Sequence, residues 1–427
     1  MRNMYEIEKL KSGFHVVTSR MPHMDSVSLG VWVGTGSRRE TKKLCGISHL
    51  VEHMLFKGTM TRSAVALKEA IEGKGGSFNG FTTEEVTCYL VKLPSNYMEL
   101  GFDVLSDMVL NPALDIKELE REKHVISEEI KMYRDQPAQH VFDILSEEMW
   151  PDDALGRPIL GYEKTVRGFT REDIISYMEN SYSPSNITCV ACGKMNVRKL
   201  HRLANKTFGA QPQMAASFSR RHPGGVLKKG KNISVFHKKT EQTHVAFGFH
   251  SINRSHGMRY AVALLHVILG GNMSSRLFER LREQKGLCYD ISSSVKKYKD
   301  TGAFVIHAGV ANDKLFQASK EVVCELKDIT KNRVKQDELD RAKEYAKGQL
   351  VLALEDTGSR MVWLGEKIMT EKSVPEIKEI IRNIDKVTVG DIQKIAKIVF
   401  NRKNLNFAAI GPAGKSAERE IKKILIL

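Results

Sequence analysis

The sequence predicts an α+β fold of two homologous α/β-sandwich halves, each an antiparallel or mixed sheet packed with helices, joined by a linker and enclosing a cleft. Three observations point there. Matching residues recur along the 427-residue chain at a fixed offset of 218. Each half opens with strands and continues into runs of helix rather than alternating strictly. A segment with few branched apolar residues and two Pro, from Gly209 onward, separates them. The repeat sets Val27-Ser-Leu-Gly30 against Val245-Ala-Phe-Gly248, Thr170, Asp173 and Ile174 against Thr388, Asp391 and Ile392, and Gly193 against Gly411. Agreement at both ends of a unit is hard to reach by chance. The expected boundaries are 1–208 for the first domain, 209–232 for the linker and 233–427 for its homologous second domain.

The elements follow in order. Phe14–Ser19 and Val27–Val33 are β-branched and read as strands. Gly46–Gly58 reads as an apolar helix. A glycine-rich turn follows Ile71, and Glu85–Leu93 alternates as a strand does. Tyr97–Met108, Ile116–Tyr133 and Arg171–Ser181 have helical periodicity, and Ile187–Gly193 reads as a buried strand. The second half repeats the pattern with strands at Ser234–His237, His244–His250 and Asn406–Gly411. Thr170 and Thr388 each precede a helical run with an Asp three positions on, the signature of an N-cap.

Composition excludes several classes. Hydrophobic residues make up 41% and charged residues 27%, the balance of a chain able to pack a core. Lys plus Arg (66) exceeds Asp plus Glu (51), giving +15, so an acidic partner has to be considered. The densest basic stretches, Arg220-Arg221 and Lys228-Lys229-Gly-Lys231, carry no interleaved aromatics for base stacking, which argues against nucleic acid. The most apolar stretch, Tyr260–Leu269, is about half of what a membrane-spanning helix needs, so no membrane role is expected. Six irregularly spaced Cys give no disulfide framework and favour a reducing compartment. Cys189 and Cys192 form a C-x-x-C, but within a strand they face opposite sides.

The sharpest local signal is His49-Leu-Val-Glu52-His53 in the apolar helix. His49 and His53 share one helical face and can offer two imidazoles to one Zn²⁺, with Glu52 alongside, directed toward a metal-bound water. The acid precedes the second His, which is the inverted zincin order. Two His and a Glu on a helix that is otherwise core need pairing or a metal. Such chemistry requires a third protein ligand and an open position. The helix Ile116–Tyr133 offers Glu118, Glu120, Glu122, Glu128 and Glu129, and spacing does not choose among them. The segment Gly75–Thr83 lacks the Lys-Ser/Thr ending of a phosphate-binding loop.

With these residues in hand, the sequence resembles the pitrilysin-type (inverzincin) zinc metallopeptidases. The likeness is closest to the branch of the mitochondrial processing peptidase β subunit and its bacterial single-chain relatives. It covers nearly the whole chain, from Lys9-Leu-Lys-Ser-Gly-Phe-His-Val-Val through Gly36-Ser-Arg-Arg-Glu40 and His49-Leu-Val-Glu-His-Met-Leu-Phe-Lys-Gly-Thr59. It continues in Gly270-Gly-Asn-Met-Ser-Ser-Arg-Leu-Phe278, Leu281-Arg-Glu-Gln-Lys-Gly-Leu-Cys-Tyr289 and Leu354-Glu-Asp-Thr-Gly-Ser-Arg-Met361.

The resemblance implies a zinc endopeptidase acting on peptides or on unfolded, presequence-like segments. One Zn²⁺ per chain would be held by His49, His53 and Glu129, the last lying 76 residues after His53. Glu52 would be the general base. Glu122, two helical turns before Glu129, would support the site, while His124 and Glu128 lie off that face. Substrate would add as a strand beside Asn79 and Phe81; the family usually has Ala after the Asn, where this chain has Gly80. Arg282 and Tyr289 would reach the substrate, the Tyr hydroxyl donating to the developing oxyanion. The second half has lost the metal set: Val267, Gly270 and Gly271 stand at the motif positions, with Lys347 or Gln349 opposite Glu129. Expected partners are peptide substrates and a second chain, as a homodimer or as a heterodimer with a homologous chain. In the alternative reading, the protein is a catalytic or scaffold subunit that needs such a partner. Family-like strand sequence begins by Tyr5, which favours a bacterial cytoplasm over the alternative of a mitochondrial matrix.

Overall fold

The computed structural model describes residues 4–209, 211, 232–371 and 374–426. The expected linker and the two basic stretches within it lie almost wholly outside the described residues. Two sheets organise the rest. The first contains β1 (Glu6–Lys9), β2 (His15–Arg20), β3 (Ser26–Val33), β4 (Ser77–Thr82), β5 (Thr87–Pro94) and β6 (Ile187–Gly193), in the order β1-β2-β6-β3-β5-β4. The second contains β7 (Asn232–His237), β8 (Gln242–Ser251), β9 (Cys288–Lys297), β10 (Gly302–Ala311) and β11 (Leu405–Gly411), in the order β7-β11-β8-β10-β9.

Setting β2, β6, β3, β5 and β4 against β7, β11, β8, β10 and β9 makes the two orders identical. In both sheets the first of these pairs is parallel and the others antiparallel. The 218-residue repeat is therefore a repeat of topology. β6 and β11 are buried at every position, as strands covered on both faces are, which explains why their sequences run apolar rather than alternating. Thr170 and Thr388 each close a reciprocal capping box with Asp173 and Asp391.

The described residues fall into two compact units that do not follow chain order. One gathers Met1–Ile130, Arg157–Pro223 and Val351–Glu376; the other gathers Lys131–Gly156, Gly224–Leu350 and Ile377–Leu427. The contiguous halves expected from the repeat thus each lend a helix to the other's sheet. In the first unit, Thr357–Thr370 covers one sheet face with Met361 and Leu364 against Trp32, Cys88, Val190 and Cys192. The opposite face carries the larger core, built on Leu29, Val31, Val91 and Cys189 with the unit's other helices. Cys189 and Cys192 accordingly belong to different cores, and all six Cys are free.

In the second unit, Pro137–Met149 lays Val141, Leu145 and Met149 on Ala246, Ala303, Val305 and Ala408. The far face packs aromatic pairs edge to face: Phe247 with Phe407 at 5.0 Å, and Phe249 and Phe304 with Phe400 at 5.0 and 5.1 Å. Repeat length cannot report such an exchange, because a helix's apolar stripe shows that it is buried and not which sheet buries it. Among the described residues, no helix is long and apolar enough to cross a membrane.

One titratable pair lies under the exchanged helix of the second unit. His307 on β10 meets the Phe142 ring at 5.0 Å, its Nε2 stands 3.3 Å from His244 Nδ1, and its Nδ1 lies 3.6 Å from Asp290 Oδ2. Burial, aided by His244, holds the His307 imidazole down to about 4 from its ordinary 6.5. The unfolded chain therefore takes up a proton near pH 6.5 that the folded chain refuses until about pH 4. Stability should fall as pH drops through that window, by on the order of 3 kcal/mol. Denaturant titrations across it should show the loss for the wild type and a shallower dependence for His307→Gln.

Candidate metal centre

Helix Ile47–Leu55 divides cleanly by face. Ile47, Leu50, Val51, Met54 and Leu55 enter the core of the first unit, and His49, Glu52 and His53 occupy the remaining side. Its first residue follows Gly46, whose φ of 97° is left-handed, and a Cβ there would stand 2.7 Å from the Leu160 carbonyl oxygen. Glu40 caps this end from six residues upstream: its carboxylate accepts from Gly46 N–H at 2.8 Å and Ser48 N–H at 2.9 Å. Two of the helix's orphan amides are satisfied in this way. Burial still pushes Glu40 up to about 7, against the opposing effect of those donors.

The acids come from helix Ile116–Asp135, whose Leu119, Ile126 and Ile130 are buried. Nε2 of His49 and Nε2 of His53 lie 3.9 and 3.7 Å from Glu129 Oε2, and the two imidazole centroids are 4.5 Å apart. Among the described residues, His49, His53 and Glu129 are the group of three acidic, His or Cys side chains close enough to share an ion, their donor atoms all within 4.8 Å. The other acids are occupied or turned away: Glu118 pairs with Arg121, Glu120 with Lys123, and Glu128 is exposed. His124 is exposed as well.

Glu122 is buried between two partners, with Oε2 3.0 Å from His53 Nδ1 and Oε1 2.5 Å from Lys57 Nζ. An imidazole that donates Nδ1–H to a carboxylate carries its lone pair on Nε2, the atom facing Glu129. Burial alone would raise Glu122, but the hydrogen bonds from His53 and Lys57 outweigh it and hold the carboxyl below its ordinary range. His49 is driven down to about 3 by burial and then by His53, so it is the neutral imidazole that a metal requires. Its Nδ1 is buried without a hydrogen-bond partner among the described residues, a costly state for a polar ring atom. Two imidazoles and one carboxylate converging from two helices fit the donor set of a catalytic zinc.

Glu52 stands beside this group, 8% exposed, and its Oε2 accepts from the Thr82 hydroxyl at 2.6 Å. Burial raises its proton affinity, as it does for Glu129. Thr82 belongs to β4, an edge strand, and strand alternation decides what else points this way. Phe78 meets Phe56 at 4.7 Å, and a Cβ on Gly80 would lie 2.9 Å from the Phe56 ring and 3.1 Å from Glu52 Oε1. The space of the Ala methyl usual in the family is thus partly taken by Phe56. Asn79 and Phe81 alternate to the other face. Asn79 is exposed and its Oδ1 accepts from Gly80 N–H, while Phe81 packs edge-on to Trp32 at 5.5 Å.

Arg282 and Tyr289 lie in the second unit. The guanidinium of Arg282 sits over the Phe278 ring at 4.7 Å and the Tyr289 ring at 4.5 Å, and Tyr289 is exposed. Two residues at the metal group escape a reading of motifs. Lys57 continues the four-residue spacing of His49 and His53, a signal that was available. Thr82 has none, since only sheet pairing carries it to Glu52.

Comparison with known proteins identifies the family. Residues 15–163 match the family described as insulinase (peptidase family M16), and residues 168–345 match the peptidase M16 inactive domain. The uncharacterized zinc protease YmxG of Bacillus subtilis is 35% identical over 95% of this chain and 97% of its own length. An uncharacterized zinc protease of Streptomyces coelicolor is 33% identical over 94% and 88%. A protease from Helicobacter pylori of known crystal structure superimposes with a TM-score of 0.90 at 21% identity, covering 96% of this chain and all of that one. A peptidase M16 inactive domain from Pseudomonas fluorescens gives 0.86 at 18%, covering 96% and 98%. At those identities the structures speak for the fold, and the closer sequence relatives speak for the family. With the inverted motif standing on its helix and its histidines facing Glu129, the chain belongs to the pitrilysin-type M16 family of zinc proteases.

Proposed function

We infer that the protein is a zinc endopeptidase that hydrolyses peptides and unfolded, presequence-like segments at one centre in its first unit. The convergence of His49, His53 and Glu129 within 4.8 Å, with Glu52 alongside, carries this reading. Zinc, when bound, supplies Lewis acidity that polarises a carbonyl and acidifies water. The protein's own groups do the rest. Thr82 engages Oε2 of Glu52, and Oε1 is left to take a proton from the attacking water and return it to the leaving amine. The raised proton affinity of Glu52 suits both halves of that transfer. An extended peptide can add to the open edge of β4 through main-chain hydrogen bonds, with side-chain pockets selecting sequence. Substrate contacts by Arg282 and Tyr289 belong to the same proposal.

The test is a library of quenched peptides presented to the purified chain. Cleavage should stop on removal of metal by a chelator and return with one equivalent of zinc per chain, measured by metal analysis. Cleavage that continues in the fully stripped protein would sink the proposal.

A further inference from the structure

The face that carries the inverted motif extends beyond it. His49, His53 and Lys57 follow at four-residue spacing, and Lys57 remains tied into the helix end by its N–H to the Met54 carbonyl at 3.1 Å. Opposite them stand Glu122 and Glu129, seven apart on one helix. Bases and acids therefore alternate in space as His49, Glu129, His53, Glu122 and Lys57.

We propose that Lys57 is a positioning residue of the zinc site: its ammonium pins Glu122 as the acceptor of His53 Nδ1–H, so that His53 presents Nε2 to the metal. This rests on the zinc reading given above. Lys suits the role because an ammonium has no lone pair and cannot compete for the ion. With one oxygen on Lys57 and the other on His53, Glu122 is held out of the ligand set although it lies one hydrogen bond from it. Without the cation, a carboxylate only 4% exposed keeps a single side-chain partner, the His53 ring, a poorly compensated state for a buried charge. Changes to such outer partners of a metal-bound His typically cost about 10–100-fold in metal affinity. The Lys57 side chain is itself 28% exposed, so its loss opens no core cavity.

Zinc affinity of the full chain, by competition against a chromophoric chelator at neutral pH, tests this without using activity. Lys57→Met keeps the stem and removes the charge, and should bind zinc about 10–100-fold more weakly than wild type. Lys57→Arg keeps the charge and should stay within about threefold; metal-free melting curves taken alongside show that all three are folded at the assay temperature. In a Glu122→Gln background, Lys57→Met should add nothing further. A Met variant that matches wild type, an Arg variant as weak as Met, or additive losses in the double variant overturns the proposal. A wild type that takes up no zinc overturns the zinc reading itself, which separates the two failures.

Discussion

Glu52→Gln should reduce turnover of a cleaved peptide by about 10²–10⁴-fold while zinc content stays at the wild-type level. The two effects separate because Glu52 stands next to the candidate donor set without belonging to it: the three groups placed to hold an ion are His49, His53 and Glu129. Gln can still accept from the Thr82 hydroxyl, which holds Glu52 Oε2 at 2.6 Å, so the side chain should stay in place and lose only its capacity for the proton. Single-turnover cleavage and metal analysis on one preparation check both halves. Undiminished cleavage with full zinc removes Glu52 from the chemistry; lost zinc makes it a structural support.

Gly365→Ala sets two known magnitudes against each other. Helix propensity favours Ala over Gly by about 0.8–1 kcal/mol, so an unpacked helix would gain. Packing predicts a loss. A Cβ at Gly365 would stand 2.1–2.4 Å from three atoms of the Trp32 indole, a fully buried ring braced by Phe81. Overpacking of this kind costs typically 1–3 kcal/mol, and a rigid ring with no flexible end places this case at the upper limit. The first unit should therefore melt several degrees lower, and Trp32→Phe should recover part of the loss in the double variant. A melting point equal to or above wild type would show that Thr357–Thr370 does not seat on Trp32.

Much of the architecture can be read from the chain. Where the pattern is clear, strand or helix type follows from periodicity because burial imposes a period of two or 3.6 on apolar residues, and the equality of the two sheet orders follows from the 218-residue offset. His49, Glu52 and His53 are legible because a single helix sets their spacing. Glu129 is not legible in the same way. Five acids on Ile116–Asp135 are equivalent until a second helix is placed against them, and only the family resemblance selects among them. Lys57 is intermediate: its spacing is visible, but its partner Glu122 is not.

Local sequence therefore settles what each element is and which of its faces carries chemistry, since those depend on residues within a turn or two of each other. It does not settle what each face meets. Thr82 reaches Glu52 through the β4–β5 pairing, Glu40 reaches the amides of Gly46 and Ser48 through a loop, and two helices cover sheets belonging to the opposite half of the chain. Contacts between distant residues are chosen by which arrangement buries the most apolar surface while leaving few buried polar groups unpaired. That choice belongs to the whole fold, and no single segment carries it.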